Sequence, residues 1–448
     1  MKTKFVLLAS LFVVSLGYSQ KKWTLKECVD HALENNITIQ QNALSIDIAT
    51  EDMEISKGNF LPAVNASSNS SFNSGLSQDE QGVLRNTNNF SANFNLGISG
   101  TIFNGYRNLN SYKRAQLGIE SSKLDLERIQ NDISLRVVNG YLNILFASEN
   151  LAVAKVQAEI SKGQVGAAKE RFDAGIIPKG DLLNLESTAA NDQQNVVIQE
   201  NALTIALLNL AQLLQIPSEG FDIERVEVGS PLAVLLYDNS DMVFQKALTS
   251  QPQIARAKLG IKDADFNIDI AKAAFYPTLS YNIGGGSSYF NQFNNLLDFG
   301  NGIQQRNDNF FSQLSDRYQY GASLSLNIPI FNRLQTKNNV ERATISKKVS
   351  ELNLENEKLT LQQTIEQAFV DTKAALKAYE AAKISLDAQK EAFKNARESF
   401  NLGAMTLFDF DLVRNRLVSA ESTLIRNKYD FVFKTKVLQF YYGELDLD

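Results

Sequence analysis

Carboxylates stand at matched distances from two glycines. Asp181 lies six residues after Gly175, and Asp409 lies six after Gly403, with Asp411 two further on. Each glycine follows a long stretch without proline and reads as the left-handed C-cap of a helix. Each aspartate then falls in the first turn of the next helix. There a carboxylate satisfies free backbone N–H groups and suits the helix dipole. If several chains bring the same aspartate around one passage, it forms an acidic ring, and such rings bind and select cations. Asp409, Asp411 and Asp181 are the candidates for such a ring; for Asp181 the cap is the stronger reading, and for Asp409 the cap and the ring stand level. No catalytic constellation appears. His31 is the only histidine, so a Ser-His-Asp triad or a His-rich zinc site has no support, and its place on a helix reads as a solvated face. The methionines are four, Met1, Met53, Met242 and Met405, too few for a relay of soft metal ions. No metal site, cofactor or enzymatic activity is expected.

The chain that positions these residues is acidic. Lys2 and Lys4 precede an apolar run, Phe5 to Leu16, then Gly17-Tyr18-Ser19-Gln20, the pattern of a secretory signal peptide over residues 1–20. The run is too short to span a bilayer, which takes about 20 apolar residues. Beyond Gln20 no segment reads as a transmembrane helix, so a membrane location would require strands in a closed barrel. Without its leader the chain keeps 42 basic and 50 acidic side chains, and no basic stripe points to nucleic acid. Cys28 is the single cysteine, which excludes an internal disulfide. Its neighbours place it on a helix face as a small buried residue.

The chain repeats itself. Ala32-Leu33 is answered by Ala247-Leu248 and Phe60-Leu61-Pro62 by Phe275-Tyr276-Pro277, both at an offset of 215. Ile102-Phe103-Asn104 is answered by Ile330-Phe331-Asn332 at an offset of 228. The same offset carries Arg171-Phe172-Asp173-Ala174-Gly175 onto Ser399-Phe400-Asn401-Leu402-Gly403, and Asp181 onto Asp409. We therefore divide the mature chain into a first repeat over 21–214, a linker over 215–238 and a second repeat over 239–448. Pro217 and Pro231 sit in the linker, which is expected to pack outside the helices.

Each repeat opens with a predicted helix of about 35 residues, near Thr24 to Lys57 and near Asp241 to Ala274. Thr24-Leu25-Lys26-Glu27 is a capping-box pattern. Two strand-like runs follow. From Asn89 to Phe103, apolar residues alternate with small polar ones, and Gln319 to Ile330 repeats the pattern. Their partners are Ala63 to Asn73 and Thr278 to Tyr289, with polar loops predicted at 74–88 and about 291–317. Such alternation fits a soluble sheet on a core, or a barrel with lipid outside and water inside. A helix of about 70 residues comes next, Tyr106 to Asp173 and Arg333 to Leu402, roughly 100 Å long at 1.5 Å per residue. After the turn comes a helix of about 35, Asp181 to Leu214 and Asp409 to Tyr442. Two short helices end to end match one long one, so each repeat can form a long antiparallel hairpin.

Four strands cannot close a barrel, since the smallest membrane barrels have about eight. Three copies supply twelve strands and twelve helical columns, which removes every open edge. In its two-fold repeat, its Phe-x-Pro before the first strand, its Phe-Asn after the second and its two turn motifs, the chain resembles the TolC-like outer-membrane efflux proteins. The resemblance covers nearly the whole mature chain. It implies an α+β membrane protein: a homotrimer with a twelve-stranded transmembrane barrel in the outer membrane, continued by a long α-helical barrel in the periplasm. It implies a passive exit duct for an efflux or secretion system, docked to a periplasmic adaptor protein and, through it, to an inner-membrane pump. Arg171, Gly175, Ser399 and Gly403 mark the turns that would meet the adaptor, and Asp409 stands where the family often carries an entrance aspartate. Met405 stands where some relatives carry a basic latch residue. A periplasmic coiled-coil scaffold or adaptor is the competing reading; it leaves the alternating strands and the doubled helix lengths without a purpose.

Overall fold

The computed structural model describes residues 22–78, 82, 84–225, 234–292 and 309–444. The signal peptide expected over 1–20 lies outside them. The chain forms two compact units. One, helical, holds the described residues up to Ser45, Ser122–Ala257 and those from Asn353. The other, Ile46–Ser121 and Lys258–Leu352, holds the large sheet.

The first predicted helix exists but is broken. Thr24 caps α1 (Leu25–Asn35) with a complete capping box: its Oγ1 accepts from the Glu27 N–H at 3.1 Å, and Glu27 Oε2 accepts from the Thr24 N–H at 3.0 Å. Asn36 then takes an extended conformation, and α2 (Ile37–Gly58) follows. The second predicted helix breaks at the equivalent place, Gln251, between α5 (Ser240–Ser250) and α6 (Pro252–Lys272). The physical reason is the same at both. Each break residue is a buried amide that donates to the end of the last helix of its own half. Asn36 Nδ2 reaches the Leu213 carbonyl at 3.2 Å, and Gln251 Nε2 reaches the Phe440 and Tyr441 carbonyls, each at 3.5 Å. These carbonyls are the orphans that every helix C-terminus must satisfy.

The long helices match expectation. α3 (Arg107–Asp173) and α8 (Gln335–Asn401) each have 67 residues, and α4 (Lys179–Leu214) and α9 (Leu407–Tyr442) each have 36. By length and composition α4 is apolar enough to cross a bilayer, contrary to the expectation that no such helix follows Gln20. Its scattered Asn and Gln side chains masked the signal. Its C-terminal Leu210, Ala211 and Leu214 are buried in the main core with Cys28, Val29, Val137 and Tyr141. Cys28 is therefore a small core residue, as its helix face implied. Over this core lies a small parallel pair, β1 (Lys22–Trp23) with β4 (Asp222–Ile223), which the linker reading did not foresee. The Tyr141 hydroxyl donates to the Glu224 carbonyl at 2.6 Å and anchors that pair. His31 is half-buried rather than solvated: its ring stands edge-on to Trp23 at 5.1 Å.

In the other unit four antiparallel strands run in the order β2 (Ala63–Gln78), β3 (Leu84–Asn104), β5 (Thr278–Gln292), β6 (Gln319–Asn327). The predicted loop at 74–88 is mostly strand, because ladder pairing overrides the weak strand propensity of a Ser/Asn/Gly-rich segment. β6 stops before Ile328 and Ile330. The predicted loop at 291–317 contains a short helix, α7 (Phe310–Asp316); residues 293–308 lie outside the described set. Register makes the two faces explicit. Val64, Ile98, Ile283 and Ala322 form one cross-strand row, and Asn65, Gly97, Gly284 and Gly321 form the next, on the opposite face. A bulge at Ile102 brings Phe103 opposite Leu279. Two consecutive left-handed residues then turn the chain into each long helix, Gly105-Tyr106 and Arg333-Leu334. The Asn of each Phe-Asn motif holds that corner: Asn104 Oδ1 accepts from the Asn108 N–H at 3.3 Å, and Asn332 Nδ2 donates to Thr336 Oγ1.

Candidate functional site

Both glycine turns have one geometry. In the first, the Ile176 N–H bonds the Arg171 carbonyl and the Gly175 N–H bonds that of Phe172, both at 2.8 Å. In the second, Ala404 bonds Ser399 at 2.8 Å and Gly403 bonds Phe400 at 3.0 Å. These are Schellman motifs, which require a left-handed residue, and Gly175 and Gly403 have φ of +73° and +75°. Arg171 and Ser399 thus serve each turn through their carbonyls. The two phenylalanines fix the turns to the helices below. Phe172 packs on the cluster of Ala168, Leu182 and Leu185, and Phe400 stacks on the buried Phe410 at 4.7 Å between centroids.

The three aspartates are placed differently. Thr406 is the N-cap of α9: its hydroxyl accepts from the Asp409 N–H at 3.1 Å and donates to Asp409 Oδ2 at 2.6 Å. Asp409 is otherwise exposed. Asp181 occupies the matching position in α4, but the cap there is Pro178, which has neither hydroxyl nor N–H; no side-chain bond forms, and the Asp181 N–H bonds the Pro178 carbonyl at 3.1 Å. Asp411 is half-buried. Burial pushes its carboxyl above the ordinary carboxylate range, Arg414 works against that, and Asp192 adds to it.

Arg414 is the residue that sequence reading missed. It is only 2% exposed. Its Nη1 donates to Ser161 Oγ at 2.7 Å and pairs with Asp192 Oδ2 at 3.2 Å, while its Nε faces Asp411 Oδ1 at 3.7 Å. Ser161 and Asp192 come from α3 and α4, and Asp411 and Arg414 from α9, so this buried cluster ties the two halves of the chain together near the turns. The signal available was weak: Glu186 occupies the position that answers Arg414 at the offset of 228, so the repeat itself pointed to nothing there.

Around these groups lies a cleft of about 1120 Å³, lined by Arg171, Asp181, Arg397, Phe400, Gly403 and Asp411 among others. It brings together four of the anticipated residues, Arg171, Asp181, Gly403 and Asp411. Asp409, Gly175 and Ser399 lie outside its lining.

The profile of the family described as "Outer membrane efflux protein" matches residues 28–214 and 243–443, most of the chain. The chain belongs to the outer membrane efflux protein family. Its likeness to individual members is distant. It is 23% identical over 447 residues to the "Outer membrane protein TolC" of Vibrio cholerae, covering 98% of this chain and 95% of that protein. It is 22% identical to the "Alkaline protease secretion protein AprF" of Pseudomonas aeruginosa, covering 75% of this chain and 67% of that protein. Among solved structures, that of CusC, described for its "transmembrane channel formation", superposes with a TM-score of 0.74 at 18% identity, covering 94% of this chain and 92% of CusC. As an outer membrane efflux protein the chain is an exit duct of the outer membrane, and its fold joins a helical body to a β domain. The family is one of transport channels rather than of enzymes.

Proposed function

We propose that three copies of this outer membrane efflux protein close into one tube and conduct substrates passively from a pump and its adaptor to the outside. The observation that carries this is the sheet. Among the described residues, β2 and β6 each have a strand partner on one side only, and the apolar face that includes Val64, Leu96, Ile283 and Leu324 lies exposed. A lone four-stranded sheet with open edges and an exposed apolar face is unstable in water and in lipid. Twelve strands from three chains satisfy both edges and turn the Asn/Ser/Gly face toward an aqueous pore. The same closure gives the exposed Val197, Ile198 and Ile205 of α4 a neighbouring subunit to face.

In this reading residues 21–214 and 239–448 are the two structural repeats, with 215–238 an equatorial linker. The Gly175 and Gly403 turns, with Arg171 and Ser399, form the tips that a periplasmic adaptor grips. Apolar side chains stand out around them, Ile176, Leu402 and Phe408, as a docking surface requires. Asp409, Asp411 and Asp181 ring the entrance, with Asp409 both capping its helix and presenting charge. The test is conductance in planar bilayers. Purified protein is expected to insert as cation-selective channels, and the double variant Asp409→Asn, Asp411→Asn is expected to lose much of that selectivity. Protein that never conducts would overturn the proposal.

A further inference from the structure

The strands at the two edges of the sheet have unequal lengths. β2 has 16 residues and β6 has 9, a difference of seven. Register shows where the surplus lies. Ala63, the first residue of β2, is level with Ser99, Asn282 and Ser323 in turn. The excess of β2 therefore runs toward Gln78, the end at which β6 begins. In a ring of copies the β6 edge meets the β2 edge of the next chain, and about half of that β2 has no strand opposite it. Backbone left unpaired at membrane depth costs several kcal/mol per group, so something must cover this step.

Within its own chain α7 already does this for β5. β6 pairs with β5 only as far as Gly286, and residues 287–292 run past it. There the Gln313 side-chain amide imitates a strand: its Oε1 accepts from the Phe290 N–H and its Nε2 donates to the Phe290 carbonyl, both at 3.1 Å. Phe310 packs on Tyr289 at 5.0 Å, and Ser287 Oγ donates to the Leu314 carbonyl at 2.7 Å. The next residue, Phe311, sets its ring edge-on to that of Phe310 at 5.3 Å and is 74% exposed. On the surplus length of β2, Phe72 and Leu76 are exposed apolar side chains.

We propose that α7 is a clasp between subunits: it caps the β5 edge of its own chain and packs Phe311 against the surplus of β2, Phe72 to Gln78, in a second copy of this chain. This rests on the closed-ring reading above. Two photo-cross-linking positions separate the two ideas, with p-benzoylphenylalanine placed in the full-length protein in outer membranes at Phe311 or, on β6, at Leu324. The clasp is expected to convert the Phe311-labelled monomer band into dimer and trimer bands, with the adduct mapped to the peptide holding Phe72–Gln78. If Leu324 links to another copy while Phe311 links only to lipid or to its own chain, the ring stands and the clasp is wrong. If neither position links to another copy, the ring fails and the clasp fails with it.

Discussion

Arg414 on α9 reaches Asp192 on α4 at 3.2 Å, and this part-buried ion pair joins the second half of the chain to the first. Ser161 shares the guanidinium, and Asp411 faces its Nε. A buried charge deprived of its partner is destabilising by about 3–5 kcal/mol. Arg414→Ala is therefore expected to lower the unfolding midpoint markedly, measured by circular dichroism in detergent. The double variant Arg414→Met, Asp192→Leu removes both charges and is expected to recover most of that loss. Equal instability in the single and double variants would show that packing, not the ion pair, governs this position.

The turn glycines separate assembly from export. A side chain at Gly175 or Gly403 meets open space, so the penalty for Val there is the left-handed backbone, about 1–2 kcal/mol. That is local and small against a large assembly. Gly175→Val and Gly403→Val are expected to form trimers and to lose export, assayed as loss of drug or protein efflux. Export at the parent level would detach these turns from adaptor docking.

Cap and charge at the entrance can be pulled apart. Thr406→Ala removes the N-cap and is expected to destabilise by about 1 kcal/mol while leaving the Asp409 charge. Asp409→Asn keeps an oxygen that can accept from Thr406 and removes the charge. It is expected to leave the melting midpoint unchanged and to lower cation preference in bilayer recordings. Unchanged preference would reduce Asp409 to a capping residue.

Asp411 carries a pH dependence of definite sign. Its carboxyl is raised chiefly by burial, so it holds a proton more tightly folded than unfolded. The stability it contributes is complete below the ordinary carboxylate range and is lost as pH rises through the elevated folded value. Asp411→Asn, which resembles the protonated form, is expected to melt above the parent at neutral pH, with the gap closing on acidification. A gap that widens in acid would mean that Arg414 dominates and the carboxyl is held ionised.

Local chemistry was readable where one residue type has one physical use. The Thr24–Glu27 capping box, the left-handed glycines at 175 and 403, and the 67-residue helices all follow from caps, chirality and the absence of proline. The breaks at Asn36 and Gln251 were not read, because their cause is a tertiary bond to a carbonyl about 180 residues away. Pro252 was the one local sign of the second break, since the residue before proline avoids helix. The far end of β2 read as loop, because Ser, Asn and Gly pair well only once a neighbouring strand is present. Arg414 was invisible for a related reason: a buried arginine announces itself by its partners, and Ser161 and Asp192 lie in the other half of the chain.

The central claim is closure across chains, and the mass of the detergent-extracted protein by native mass spectrometry tests it most directly. The account predicts a species at three times the mass of the mature chain, stable in mild detergent. A monomer that stays in solution without detergent would contradict it, because the exposed apolar face of the sheet would then have to face a partner other than lipid and its edges something other than a second copy.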